Sequence, residues 1–389
     1  LIVHRYQVQP MVESQARSVI QEINAALATV SDPELHRPLP DLGMVEKVEF
    51  SNGVAEIKVL LTISGCPMRD RLQKDVTEAV MKVSAVNQVA LEFGVMNEAQ
   101  RDNVKKLLRG GREKFIPFAQ PDSLTRVWGI SSGKGGVGKS SVTVNLAAAL
   151  AVRGFKVGVL DADVYGHSIP RLLGIEGQRP TAIDQTFIPI EINGIKVVSI
   201  EMFKPDRADP VAYRGPLLHR VLEQLLSDAY WGDLDFLLLD LPPGTGDIAI
   251  SLGQLIPASE IVVVTTPQIA AAEVAERAGR IAHQLKQHII GVIENMSAYT
   301  DASTGAKVAL FGSGGGKETA VRLSTLVGAQ VPLVGEIPFE LQLREGGDVG
   351  KPIVWQNPES AAAQEFFKIV DALAPRKKSL LGVRLGVST

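Results

Sequence analysis

Two lysines flank a run of glycines in Gly133-Lys134-Gly135-Gly136-Val137-Gly138-Lys139-Ser140, and the pattern suits the binding of a phosphate. It fits G-x-x-x-x-G-K-[ST]. Glycines let backbone N–H groups turn onto phosphate oxygens, Lys139 reaches the β- and γ-phosphates, and the Ser140 hydroxyl holds Mg²⁺. With Ser141, the expected nucleotide-binding set is Gly133, Lys134, Gly135, Gly136, Val137, Gly138, Lys139, Ser140 and Ser141. Leu124–Ile130 precedes the loop as an expected strand, and an apolar helix is expected from Ser141 onward. That helix would point the positive end of its dipole at the phosphates. Lys134 is surplus to an ordinary loop of this kind and places a second cation beside the phosphates.

Carboxylates follow at two later strand ends. Val157–Leu160 runs into Asp161-Ala162-Asp163, where one acid orients an attacking water and a second supports the magnesium shell. We assign Asp163 to the water and Asp161 to support. Phe236-Leu237-Leu238-Leu239-Asp240 is an apolar strand ending in an acid, so Asp240 is expected on a Mg²⁺-bound water or on the Ser140 hydroxyl. Leu241–Asp247 then mixes rigid prolines with permissive glycines, which suits a loop that changes shape with the γ-phosphate. Asn295, after a further strand, offers donor and acceptor to an adenine edge. The expected catalytic set is Lys134, Lys139, Asp163 and Asp240. The expected magnesium set is Ser140, Asp161 and Asp240.

A parallel sheet must hold these loops. Strands are expected at Arg126–Ile130, Val157–Asp161, Lys196–Ile200, Phe236–Asp240, Ile261–Thr265, Ile289–Glu294 and Leu333–Ile337, with helices such as Ala270–Gln287 between them. Right-handed crossovers make this a doubly wound, mostly parallel α/β fold with ligands outside the carboxyl ends of its strands. A small α+β domain is expected before it, at 11–97. Its parts are a helix at Ser14–Thr29, strands Val45–Phe50 and Val54–Thr62 joined at Asn52-Gly53, a helix from about Pro67 to Ala85, and a strand at Gln88–Met96. Between the two, 98–123 reads as a basic helix and extended linker, its Arg101, Lys105, Lys106, Arg109, Arg112 and Lys114 forming a solvated face. The large domain is expected at 124–374 and a basic tail at 375–389.

Composition narrows the classes. The chain has 389 residues, 45% of them hydrophobic and 21% charged, and a net charge of −3, which gives no global pull towards nucleic acid or anionic membrane. One cysteine rules out an internal disulfide framework and suits a reducing cytosol. No apolar run reaches the ~18 residues of a spanning helix and no signal peptide opens the chain, so a cytoplasmic protein is expected. Leu1–Pro10 reads as an upstream extension, with Met11 nearer a natural start. The histidines at 4, 36, 167, 219, 283 and 288 show no metal-ligand spacing.

The loop with its second lysine resembles the deviant Walker A of MinD, ParA and the nitrogenase iron protein. That resemblance implies that Lys134 contacts nucleotide bound by the facing subunit, so ATP would hold a homodimer together. More narrowly, the chain resembles the Mrp/ApbC family of P-loop ATPases, which act as iron–sulfur cluster carriers. The resemblance rests on Ser131–Ser140, Asp161–Gly166, Tyr213-Arg214-Gly215-Pro216, Asp240–Asp247, Glu294–Ser297, Phe311–Gly316 and Gly335-Glu336-Ile337-Pro338. Residues 14–96 resemble the SufT-type domain, through Asp32-Pro33-Glu34, Asp41–Val45 and Thr62–Pro67. The resemblance implies a slow, dimeric ATPase that carries or assembles iron–sulfur clusters for client proteins, with ATP and Mg²⁺ as cofactors. It makes Cys66 a candidate cluster ligand or transfer residue. One departure stands out: where the family places Cys-x-x-Cys after Glu-Asn-Met-Ser, this chain has Asp301 and Thr304, and oxygen ligands suit iron–sulfur units poorly. His167 likewise stands where the family usually has proline. The alternatives are an ATP-switched scaffold without its own cluster and a MinD- or ParA-like positioning protein. For the latter, Arg376–Leu385 is basic and apolar, but Gly382 and Gly386 weaken a membrane-binding helix. Stable membrane association and nucleic-acid binding are not expected.

Overall fold

A computed structural model describes residues 9–63, 68–108, 115–163, 166, 168–183, 186–203, 216–244, 246–300 and 304–374. Its contacts divide the chain into two units, Leu1–Phe115 with Thr181–Ile188, and Ile116–Pro180 with Pro189–Thr389.

The first unit contains α1 (Gln9–Leu27), β1 (Val45–Ser51), β2 (Val54–Leu61), α2 (Arg69–Val80), β3 (Gln88–Val95) and α3 (Glu98–Leu108). The sheet order is β1-β2-β3, antiparallel then parallel. Asn52 and Gly53 both take positive φ, 51° and 81°, as the tight turn between two right-twisting strands requires. On β2 the alternate residues Ala55, Ile57, Val59 and Leu61 are buried, and Ile23, Leu27, Leu72 and Val76 from the helices pack the same core. The helix expected to reach Ala85 stops at Val80, because the chain turns there through Val83 N–H donating to the Val80 carbonyl.

The second unit runs β4 (Arg126–Ser132), α4 (Lys139–Val152), β5 (Val157–Asp161) and α5 (Ile169–Leu172). Next comes the hairpin β6 (Thr181–Ile183) and β7 (Thr186–Ile188), whose contacts group it with the first unit. The chain continues through β8 (Ile190–Ile192), β9 (Ile195–Ser199), α6 (Pro216–Ser227), β10 (Phe236–Asp240), α7 (Asp247–Leu255), β11 (Glu260–Thr265), α8 (Ile269–Gln284), β12 (His288–Thr300) and β13 (Lys307–Val308). It ends with α9 (Gly315–Val327), β14 (Leu333–Phe339), α10 (Leu341–Asp348), α11 (Ile353–Gln356) and α12 (Ala361–Leu373).

The large sheet has the order β13-β12-β11-β4-β10-β5-β9-β8, with β14 also paired to β12. Its interior pairings are parallel, and only the edge strands β8 and β13 are antiparallel. Strands β5 and β10 are buried along their whole length, as a strand covered by helices on both faces must be. Helix α4 lies across the centre of the sheet with Val142, Leu146, Ala147 and Leu150 in the core, which fixes the direction of the loop that feeds it.

Strand β12 extends six residues past the expected Glu294 end, to Thr300. Met296 adopts a left-handed φ of 61° and the pairing with β14 slips between Asn295 and Tyr299. This bulge lets the strand continue into the short hairpin with β13.

Candidate functional site

The loop between β4 and α4 sits at the carboxyl ends of the central strands. Gly136 and Gly138 take φ values of 80° and 79°, backbone that side-chain-bearing residues rarely adopt. A Cβ on Gly138 would collide with the Asn295 amide, and one on Gly133 would strike the backbone at Val274 and Ala275. Only glycine fits at either position. The loop lines a cleft of about 310 Å³ together with Ser132, Lys139, Ser140, Ser141, Asp163, Ser168 and Pro243. The first residues of α4, Lys139 to Ser141, line this cleft, and the N-terminal end of a helix favours an anion.

Beneath the loop lies a buried polar cluster centred on Asp240. The Lys139 ammonium is 2.7 Å from Asp240 Oδ1, and the Ser140 hydroxyl donates to Oδ2 at 2.5 Å. Thr143 Oγ1 donates to Oδ1 at 2.7 Å. Asp240 and Asp161 are opposite one another on paired strands, and both are fully buried. Asp161 accepts from Ser199 Oγ at 3.0 Å and from the Asp163 amide at 3.2 Å. Burial first, and then the neighbouring Asp240 charge, hold the Asp161 carboxyl well above the usual carboxylate range. Asp161 therefore stands behind Asp240 and braces Asp163, without reaching the cleft wall. Asp163 does reach it, and its Oδ1 accepts from the Gly166 amide at 3.0 Å.

Lys134 lines the same cleft but is not tied to Asp240. Its ammonium donates to Gln268 Oε1 at 2.8 Å on the exposed side of the loop. The loop after β10 is tied to the same region, since the Gly244 amide donates to the Ser132 carbonyl at 2.8 Å.

Asn295 is buried against the loop. Its Nδ2 donates to the Val137 carbonyl at 2.9 Å, while Oδ1 is buried without a partner. One amide N–H is thus spent on the loop, and the expected two-handed pairing with a base reduces chiefly to an acceptor. A second cleft of about 440 Å³ opens here, walled by Gly138, Ser141, Asn295, Met296, Phe339 and Leu343, with Arg171 and Arg344 at its rim. It is largely apolar and continuous with the phosphate cleft through Gly138, Ser141, Ser168 and Leu172.

The glycine cradle, the Ser140–Asp240 pair and the unpartnered Asn295 acceptor beside an apolar cleft fit a magnesium nucleoside triphosphate. Thr143, Ser199 and Gln268 also belong to the site, although no motif marks them, and so does Met296, which the Glu294–Ser297 motif contains without assigning it a role. Cys66, Asp301, Tyr213–Gly215, His167 and the tail from 375 lie outside the described residues. Thr304 is exposed. Among the described residues no group of three or more acids, histidines or cysteines is arranged for a metal, and no helix is long and apolar enough to cross a membrane.

Known proteins match this chain along most of its length. The family model for iron-sulfur cluster assembly proteins matches residues 20–91, and that for the NUBPL iron-transfer P-loop NTPases matches residues 123–374. A Mycobacterium tuberculosis H37Rv protein named iron-sulfur cluster carrier protein is 53% identical over 94% of this chain and 96% of its own length. A Bacillus subtilis protein of the same name is 36% identical over 90% and 97%. Among solved structures, a nucleotide-binding protein from Archaeoglobus fulgidus in complex with ADP is 36% identical, with a TM-score of 0.52 over 62% of this chain and 91% of its own. With these matches, and with a glycine cradle above a buried lysine, serine and aspartate, the chain belongs to the NUBPL iron-transfer P-loop NTPase family.

Proposed function

We propose that the chain binds Mg–ATP, hydrolyses it slowly as a homodimer, and uses the nucleotide state to carry or assemble iron–sulfur clusters for client proteins. The observation that supports this most is Asp240 gathered with Lys139 and Ser140 beneath a loop that only glycine can form. Similarity to relatives named as cluster carriers supports the cargo.

In this reading the loop amides and Lys139 hold the β- and γ-phosphates, and Ser140 with Asp240 holds the metal. Bound Mg²⁺ supplies positive charge to the phosphate oxygens. Asp163, at the cleft wall, orients the water that attacks the γ-phosphorus, and Asp161 braces the Asp163 backbone from behind. Asn295 Oδ1 accepts from the adenine amino group, and the apolar cleft takes the base. Lys134, at the edge of the cleft, serves nucleotide held by a second copy. Pro243 reports the γ-phosphate to the loop after β10.

The cluster is cargo, and this chain brings one thiol to it, Cys66. With Asp301 and Thr304 at the places where the resemblance leads one to expect cysteines, a second reading stands beside the first: an ATP-switched scaffold whose partner bears the cluster. Anaerobic iron and sulfide reconstitution of wild type beside Cys66→Ser, read by absorption spectrum and metal per dimer, separates them. A stable cluster in wild type that is lost in the variant is the expected result. No cluster in either overturns intrinsic carriage and leaves the scaffold.

A further inference from the structure

Helix α4 carries a hydroxyl where its packing calls for none. Thr143 is fully buried in a helix whose other buried positions from Val142 to Leu150 are apolar apart from Asn145, which bonds the Ser141 carbonyl and the Val354 amide. Burying a hydroxyl there is costly unless the group is used. A threonine in a helix commonly satisfies itself on the carbonyl four residues back, and Thr143 Oγ1 is indeed 3.0 Å from the Lys139 carbonyl. Its closer neighbour is Asp240 Oδ1, at 2.7 Å, and one hydroxyl proton goes preferentially to the nearer, charged acceptor.

The carboxylate thus has a division of labour. Oδ2 takes the Ser140 hydroxyl, while Oδ1 takes both the Lys139 ammonium and Thr143. Of these partners Lys139 is the mobile one, because the same ammonium must turn to the phosphates when nucleotide binds. Asp240 is fully buried, so without Thr143 the departure of Lys139 would orphan Oδ1 and leave the carboxylate free to rotate. Thr143 remains, held in the second turn of α4.

Building on the Mg–ATP site proposed above, we infer that Thr143 is a positioning residue. Its hydroxyl holds the plane of the Asp240 carboxylate after Lys139 has moved to the phosphates, so that Oδ2 stays aimed at Ser140 and the metal shell. Thr143 touches neither nucleotide nor metal. Groups that orient a metal-binding carboxylate in this way commonly govern metal affinity by about 10- to 100-fold.

The test is a Mg²⁺ titration of nucleotide binding, read with a fluorescent ATP analogue, for wild type, Thr143→Val and Thr143→Ser. Valine keeps the branched shape and removes the hydroxyl, while serine keeps the hydroxyl. In EDTA no metal depends on the aim of Oδ2, and the nucleotide affinities of the three proteins should agree within about threefold. As Mg²⁺ is added the curves should part: Thr143→Val needs about 10-fold more metal for half its effect, and Thr143→Ser returns close to wild type. Superimposed Mg²⁺ curves overturn the inference. So does a loss in Thr143→Val of equal size with and without metal, since that marks a packing role. A wild type that binds no nucleotide overturns the Mg–ATP reading itself, and this inference with it.

Discussion

Asn295 shows how one amide can serve both the loop and the ligand. Its donor pins the Val137 carbonyl, and its acceptor is left buried and unpaired in a residue that lines an apolar cleft. Such an acceptor favours an amino group over an oxo group at the same place on a purine. Asn295→Leu should weaken ATP binding by about 10- to 100-fold, the equivalent of roughly 1–3 kcal/mol for a buried hydrogen bond. It should also narrow any preference for ATP over GTP, as competition binding would measure, and a preference undiminished in the variant would take Asn295 off the base. The residues of this site differ in how they could be found. Lys139, Ser140 and Asp240 were legible because a motif fixes their order along the chain. Thr143 was not, because nothing in Ser140-Ser141-Val142-Thr143 says which hydroxyl turns towards β10. That depends on β10 lying beside β4, a fact of sheet order. Ser199, which bonds Asp161 across β5 and β9, was hidden for the same reason.

At the scale of elements, the interior strands were legible as apolar runs because helices cover both their faces. The parts that escaped depend on single backbone exceptions. Left-handed Met296 carries β12 beyond its expected end, and non-glycine residues with that φ concentrate where function compels them. The hairpin of β6 and β7 escaped because its short strands carry no period, yet within the first unit it closes over the turn after α1. There Thr181 Oγ1 donates to Glu34 Oε1 at 2.7 Å, beside Asp32, whose Oδ1 accepts from the Glu34 and Leu35 amides. Burial first, and Asp32 as a lesser contribution, raise the Glu34 carboxyl above its ordinary 4.5, although the Thr181 hydrogen bond opposes them. A carboxyl raised in the folded state favours folding while protonated, and that contribution is lost as pH climbs from about 4.5 through the raised value. Glu34→Gln keeps the acceptor for Thr181 and removes the charge. Calorimetry should therefore find wild type and variant alike near pH 4. By pH 7 the variant should melt higher, by about 1–3 °C. A variant that is less stable at pH 7 would mean that the ionised carboxylate is wanted there.

For the whole molecule, the two lysines of the loop have opposite allegiances. Lys139 is buried and bound to Asp240, committed to the chain that carries it. Lys134 is half-buried at the edge of the cleft, its ammonium on the amide oxygen of exposed Gln268, a contact that solvent can replace at little cost. Near it Ile269, at the start of α8, is 62% exposed, an apolar residue beside a cation on one face of the second unit. That arrangement suits a second copy bringing its own nucleotide up to Lys134. The two lysines should then fail differently. Lys139→Ala should abolish ATP binding outright. Lys134→Ala should leave binding by the single chain within about threefold, since it removes only an exposed hydrogen bond, while the ATP-dependent dimer disappears from sedimentation profiles. Hydrolysis should fall with the dimer and return when the variant is mixed with chains that retain Lys134 but lack Lys139, because each mixed pair then supplies one lysine of each kind to a single nucleotide. A Lys134→Ala protein that still dimerises with ATP as wild type does would return Lys134 to an ordinary surface role and leave the switch to act within one chain.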